Sequence, residues 1–180
     1  ASPSGCSQCD PATDAYAWTP SSSASAQSEG FESGTGSYTI SALVGDVGWQ
    51  LSQARKKGGT QSLYFGHLQN KSYDSGVQVS GTASTPTLTL PAGQKAALRF
   101  AVYLAIEPSK GFDTFEVRVG QEVLWRKPAD QSDYRRFIWV ELDLAKYAGT
   151  SIPVDFAFDS KDGFGNTGEG IYLDDVTLLT

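Results

Sequence analysis

The chain has 180 residues, 39% of them hydrophobic and 19% charged, with a formal net charge of −6. That is enough apolar material for one domain with a sizeable core. The acidic balance and a longest basic run of only Arg55-Lys56-Lys57 argue against a nucleic-acid partner, and no apolar run reaches the ~18 residues of a membrane-spanning helix.

The chain starts on Ala and contains no Met, so it reads as a mature or excised fragment whose targeting signal has been removed. Residues 1–29 hold few large apolar side chains, and "TPSSSASAQSEG" has the Ser/Ala composition of a flexible leader or linker. Tyr16 and Trp18 are exceptions that can pack on a domain edge. Cys6 and Cys9 form a CxxC. A redox motif would open a helix in a βαβ context, and nothing helical follows. A zinc site needs two further ligands, and His67 is the only histidine. A local disulfide, or pairing with another part of a longer polypeptide, is the plainest reading, and disulfides point to an oxidising, extracellular compartment.

The globular part is expected to begin at "GFESG", residues 30–34. From there the pattern is strands. In "ALRFAVYLAI" the residues Leu98, Phe100, Val102, Leu104 and Ile106 share one face. In "FDTFEVRVG" Phe115, Val117 and Val119 do the same. In "IPVDFAFD" Val154, Phe156 and Phe158 point in while Asp155 and Asp159 point out. Such period-two alternation predicts sheets with one face buried, and Gly and Pro at "LPAGQK", "RVGQEV" and "GTSIP" punctuate them. "DLAKYAG" is the one stretch suited to a helical turn, closed by Gly149. Roughly ten strands without a convincing helix suggest an antiparallel β-sandwich. In "IYLDDVTL" the apolar positions are Ile171, Leu173, Val176 and Leu178, spaced by two, three and two. The slip at Asp174-Asp175 is the trace of a β-bulge, which re-aims side chains.

In their order, "GFESG", "GWQL", "SLYFG", "YDSGVQVSGTASTPTLTLPAG", "FDTFEVRV" and "DLAKYAGTSIPVDFAFDSKDGFGNTGEGIYLDDVTL" resemble the MAM-like jelly-roll modules of secreted bacterial proteins. Their relatives include the cleaved-adhesin domains of gingipain-type proteases and modules attached to immune-inhibitor-A-type metalloproteases. The resemblance covers residues 30–180. It implies a two-sheet jelly roll, a place within a larger secreted or surface protein, and a structural calcium tying the "GFE" segment to the "DD" strand. The positions that match are Glu32, Asp174 and Asp175. Calcium takes six to eight oxygens, from carboxylates and backbone carbonyls together, and Glu32 lies in a glycine-flanked segment. The competing reading of the aspartates is an edge strand guarded by charge.

A second acidic group, Asp159, Asp162, Asn166 and Glu169, occupies the glycine-rich "DSKDGFGNTGEG". It lacks EF-hand spacing. It suits either a cation, sugar hydroxyls or a solvated turn. Trp49, Trp125 and Trp139 read as core residues. Tyr103 and Tyr172 fall opposite the apolar phase of their strands and are the expected ligand-stacking aromatics on an outer face. Catalysis finds little support: His67 has no Ser or Cys partner by spacing, and no acidic pair stands in a pocket-like context for glycoside hydrolysis. "NKS" at 70–72 is a glycosylation sequon that matters only in a eukaryotic source. The expected function is a non-catalytic, calcium-stabilised secreted or surface module for adhesion or carbohydrate binding. The rivals are a protein-interaction or accessory domain of a protease without a sugar site, and an enzyme acting on glycans.

Overall fold

The computed structural model describes residues 7–9, 18–20, 26–108, 111–128 and 135–180. A pairing of Cys6 with Cys9 lies outside the described residues. The strands in chain order are β1 (Ser7–Cys9), β2 (Trp18–Pro20), β3 (Ala26–Glu29), β4 (Thr39–Ile40), β5 (Val47–Ser52), β6 (Ser62–His67), β7 (Ser80–Ser84) and β8 (Leu88–Thr89). They continue with β9 (Ala97–Ala105), β10 (Thr114–Val119), β11 (Glu122–Arg126), β12 (Phe137–Asp143), β13 (Ser151–Ile152), β14 (Asp155–Asp159) and β15 (Gly170–Leu179). The helical turn expected at "DLAKYAG" is a single 3₁₀ turn, Ala145–Tyr147, and Gly149 follows it with a φ of 80° that a side chain would resist.

Two antiparallel sheets make the body. One runs β11-β10-β14-β7-β4 and the other β12-β9-β15-β6-β5. Strand β15 has β9 along one side, and along the other β6 pairs with its first half and β3 with its second. Residues 26–29, which the composition groups with the leader, thus pair with the last strand of the sandwich.

The alternation read from the sequence is the packing observed. Leu98, Phe100, Val102 and Leu104 of β9 face Phe115, Val117, Phe156 and Phe158 of the opposing sheet, all of them buried. Aromatic edges meet ring faces between the sheets: Phe100–Phe156 at 5.1 Å and, within the same core, Trp49–Phe65 at 5.4 Å. Trp49 is core and Trp125 packs at the core edge. Trp139 corrects its expectation. It pairs with Ala101 on the outer phase of β12 and is 38% exposed.

The slip at Asp174-Asp175 is a bulge. Asp174 pairs with Ala101 and Thr177 with Arg99, so β15 spends one more residue than β9. Asp175 takes up the extra length at φ 49°, a left-handed conformation that is costly for a residue other than glycine. The bulge falls where the neighbour of β15 changes from β6 to β3.

Candidate functional site

The bulge organises the strap of residues 53–61 that joins β5 to β6. Asp174 is fully buried. Its Oδ2 accepts the backbone N–H groups of Lys57 (2.7 Å) and Gly58 (3.2 Å), and its Oδ1 accepts that of Asp175 (2.8 Å). Burial pushes its carboxyl above the ordinary range, against the pull of those three donors. Glu32 holds the far end of the strap. Its carboxylate accepts the Thr60 hydroxyl (2.7 Å) and the N–H groups of Thr60 and Gln61, which keep its pKa low. The Asp175 carboxylate faces the backbone of Gly58 and Gly30.

The three acidic residues that the resemblance singled out therefore do converge on one strap, but in different roles. Glu32 and Asp175 approach the Gly58–Gly59 segment, where a Cβ on Gly59 would collide with the Glu32 carboxylate and one on Gly58 would come within 3.3 Å of Asp175. Asp174 spends both oxygens on N–H donors. Glu32 likewise spends both oxygens, on the Thr60 hydroxyl and the N–H groups of Thr60 and Gln61, so among the three it is the Asp175 carboxylate, facing the glycines of the strap, that fits a hard cation such as calcium as it stands. Asp174 fits the part of a backbone clamp. No group of three His, Cys, Asp or Glu side chains placed to hold an ion occurs among the described residues.

The structure does not bring the second acidic group together. Asp159 lies on the outer face of the five-stranded sheet, accepting from Lys161 Nζ and Gln78 Nε2, each at 2.8 Å. Asp162 and Asn166 fold the glycine-rich loop on itself: Phe164 N–H reaches Asp162 Oδ1, and Asn166 Nδ2 reaches the Asp162 carbonyl. Glu169 belongs to the other sheet, where its Oε1 accepts Arg55 Nε and the Tyr172 hydroxyl, both at 2.8 Å.

Tyr103 and Tyr172 are on the outer phase as expected, but they are not exposed. They are 3% and 0% accessible, gathered with Tyr64 in a second cluster. Tyr64 and Tyr172 stack at 4.4 Å. Arg55, carried by the strap, lies 4.5 Å above Tyr103, and the Glu169 backbone carbonyl accepts the Tyr64 hydroxyl. Phase alone could not show this cover, because the strap comes from elsewhere in the chain.

The five-stranded sheet presents the opposite picture. The outward positions of β10, β14 and β7 are Thr114, Glu116 and Arg118, then Asp155, Ala157 and Asp159, then Ser80, Thr82 and Ser84. The small Ala157 at the centre leaves a polar trough of about 350 Å³. Its carboxylates are held in place: Arg126 reaches Glu116 at 2.6 Å, and Lys161 with Gln78 holds Asp159 below the ordinary carboxylate range although burial works the other way. Thr114 pairs with Asp159, so the loops before β10 and after β14 leave the same end of the sheet. They carry Phe112 (43% exposed) and Phe164 (82%), beside Val77 (53%). Gly163 abuts the Gly76–Val77 backbone. A trough with donors and acceptors along its floor and apolar rings at one end was missed by the sequence reading. The outward Asp155 and Asp159 were its only trace.

Solved structures share this architecture. TmCBM61 in complex with β-1,4-galactotriose superposes with a TM-score of 0.55 at 16% identity, over 83% of this chain and 92% of that one. Caldicellulosiruptor saccharolyticus CBM27-1 in complex with mannohexaose gives 0.54 at 17% identity, over 85% and 96%. The K3 cleaved adhesin domain of Lys-gingipain from Porphyromonas gingivalis W83 gives 0.52 at 18% identity, over 84% and 97%. The fold is a jelly roll. No protein-family model and no curated protein matches the chain, so the likeness lies in the jelly roll itself. No helix among the described residues is long and apolar enough to cross a membrane.

Proposed function

We propose that this jelly roll is a non-catalytic carbohydrate-binding module of a larger secreted or surface protein, and that it takes a glycan segment in the trough of the five-stranded sheet. The observation that carries this reading is the outer face around Ala157: a cleft of about 350 Å³ lined by Ser, Thr, Glu, Asp, Arg and Lys side chains, several of them fixed by ion pairs. Sugar hydroxyls both donate and accept. Carboxylates with lone pairs to spare, cations and hydroxyl groups meet them in both senses. Phe164 and Phe112 at the open end supply flat apolar faces for a sugar ring. Two relatives in fold are solved with bound oligosaccharides, which supports the reading by analogy.

Titration calorimetry against a panel of neutral β-linked polysaccharides tests the proposal. Binding to at least one member should fall about tenfold with Thr82→Val or Glu116→Gln, while melting stays unchanged. No binding across the panel, or binding that ignores both substitutions, overturns it. The exposed Phe164, Val77 and Phe112 favour one second reading, a protein-interaction module. In that case Phe164→Ala abolishes partner capture while trough substitutions do nothing.

We further propose that Asp175, with carbonyls of the strap and a Glu32 carboxylate that exchanges bonds to Thr60 and Gln61 for the ion, holds a calcium ion that fastens the strap to the β3–β15 edge. An ion bound only by the folded state contributes ~2.7 kcal/mol when free calcium is 100 times Kd, or roughly 5–10 °C in a domain of this size. Chelation should lower the melting midpoint by that much, calcium should restore it, and Glu32→Gln or Asp175→Asn should remove the response. Scans that coincide with and without chelator, together with no metal on elemental analysis, reject the ion.

A further inference from the structure

The outer face of the six-stranded sheet carries a feature that neither the trough nor the strap explains. Tyr64, Tyr172, Tyr103 and Phe137 stand in register across β6, β15, β9 and β12. Four neighbouring strands place them along a row of about 14 Å. Cations lie on this row rather than beside it. Lys71 Nζ is 5.9 Å from the Tyr64 ring centre and the Arg55 guanidinium 4.5 Å from that of Tyr103. One register row away, Arg99 lies 4.1 Å over Trp139. Ring faces attract cations and hold them in place.

Beside Tyr103 and Phe137 opens a cleft of about 300 Å³ whose other lining residues are Ala54, Arg55, Lys56, Arg135 and Arg136. Among the described residues its lining holds four cations and no acid, in a chain of net charge −6. Arg135 also lines the adjoining cleft, of about 380 Å³, that reaches Lys71. The one acid in that second cleft, Glu169, already accepts both Arg55 and Tyr172, and its carboxyl is held low by them against burial. Lys56 and Arg136 are exposed, with no carboxylate paired to either among the described residues. Arg135 sits at φ 39°, a strained backbone for arginine, of the kind that recurs at ligand sites.

We infer that this row of cations is a second binding surface, for an acidic polysaccharide laid across the strands with its carboxylate or sulfate groups on Arg55, Lys56, Arg135, Arg136 and Lys71. Arginine forks match planar carboxylates and tetrahedral sulfates in two-point contacts. Anchoring the cations on rings lowers the side-chain entropy lost on binding. An extended polymer suits the row better than a small anion does, because the charges are spread along it rather than gathered at one point. The surface lies on the opposite sheet from the trough, so the two proposals stand or fall separately.

The test is affinity electrophoresis and calorimetry of the full chain against polygalacturonate, a sulfated galactan and an uncharged galactan, at low and physiological ionic strength. Polygalacturonate or the sulfated polymer should bind at least tenfold more tightly than the neutral galactan. Which of the two binds better identifies carboxylate or sulfate as the preferred group. Binding should weaken with salt, and Arg136→Ala and Lys56→Ala should each weaken it about tenfold, with an unchanged melting midpoint. Thr82→Val and Glu116→Gln should leave it intact. If Arg136→Ala fails to fold, Lys56→Glu carries the test alone. Equal binding of neutral and acidic galactan, acidic binding indifferent to Lys56 and Arg136, or equally tight binding of a DNA duplex through the same residues would each overturn the inference.

Discussion

On the five-stranded sheet the outward row Thr82, Ala157, Glu116 floors an open polar trough, whereas on the six-stranded sheet the outward row Tyr64, Tyr172, Tyr103 is sealed beneath a strap, an arginine and a glutamate. Both rows obey the same period of two. The difference lies in what crosses above them. Residues 53–61 are pinned over one sheet by Glu32, Asp174 and the Arg55–Glu169 pair, while the other sheet has the small Ala157 at the centre of its outward row. An outward position on a strand therefore sets the direction of a side chain and leaves its solvent access to tertiary cover.

That contrast can be broken most severely at Tyr172. Tyr172→Ala removes a fully buried ring stacked on Tyr64 and the hydroxyl donor to Glu169. It should cost roughly 3–5 kcal/mol, read as a fall in the melting midpoint of about 2–4 °C per kcal/mol. A change under about 1 kcal/mol would mean that this row is solvent-exposed after all. Next comes Asp174→Ala, which strands the N–H groups of Lys57, Gly58 and Asp175. At about 1–3 kcal/mol for each buried donor left unpaired, partly relieved by water, the loss should be about 3 kcal/mol. Hydrogen exchange should then show faster opening of residues 53–61 than of β9.

Between the two faces, at the end of the sandwich, lies a titratable group that separates their responses to pH. Asp113 is 1% exposed. Its Oδ2 accepts the Tyr73 hydroxyl and the Glu107 N–H (2.7 Å), while Oδ1 lacks a partner among the described residues. Burial raises its pKa from 3.8 to about 6, with the Glu107 charge adding to the rise and the bonds from Tyr73 and Glu107 N–H and the charge of Lys127 opposing it. Because the folded value is the higher one, its stabilising contribution is complete below 3.8 and is lost as pH rises through about 6. The displacement corresponds to on the order of 3 kcal/mol at most. The midpoint difference between the wild type and Asp113→Asn should therefore shift in the variant's favour across that window, and a difference independent of pH would show that Asp113 stays ionised. Glycan binding in the trough should not follow this titration.

Much of the molecule is legible in the sequence. The inward residues of β9, β10 and β14 follow from alternation because burial on one face of a strand is a local property of the pattern. The bulge followed from one broken step at Asp174-Asp175. What could not be read was non-local. The cover over Tyr103 comes from Arg55, 48 residues earlier in the chain. Glu169 joins a different sheet from Asp159 because Gly170, at φ 111° and against the Phe65 carbonyl, turns the chain into β15. The trough depends on Ala157 lying between Glu116 and Thr82, two residues distant in sequence that only the register brings beside it.

The smallest expected effect sharpens the comparison from the other side. Thr82→Val exchanges a hydroxyl for a methyl group on the open face of β7. The Thr82 side chain is half-buried beside Ala157, and its backbone, not its hydroxyl, makes the bonds to Ser41. A β-branched replacement keeps the strand geometry and leaves no buried donor unpaired. Stability should change by less than about 0.5 kcal/mol, against several kcal/mol at Tyr172 on the equivalent phase of the other sheet. Parallel melting scans of the two variants measure the ratio directly. A Thr82→Val loss as large as that of Tyr172→Ala would mean that the trough is closed by a contact absent from this arrangement, and the free outward face on which glycan binding depends would not exist.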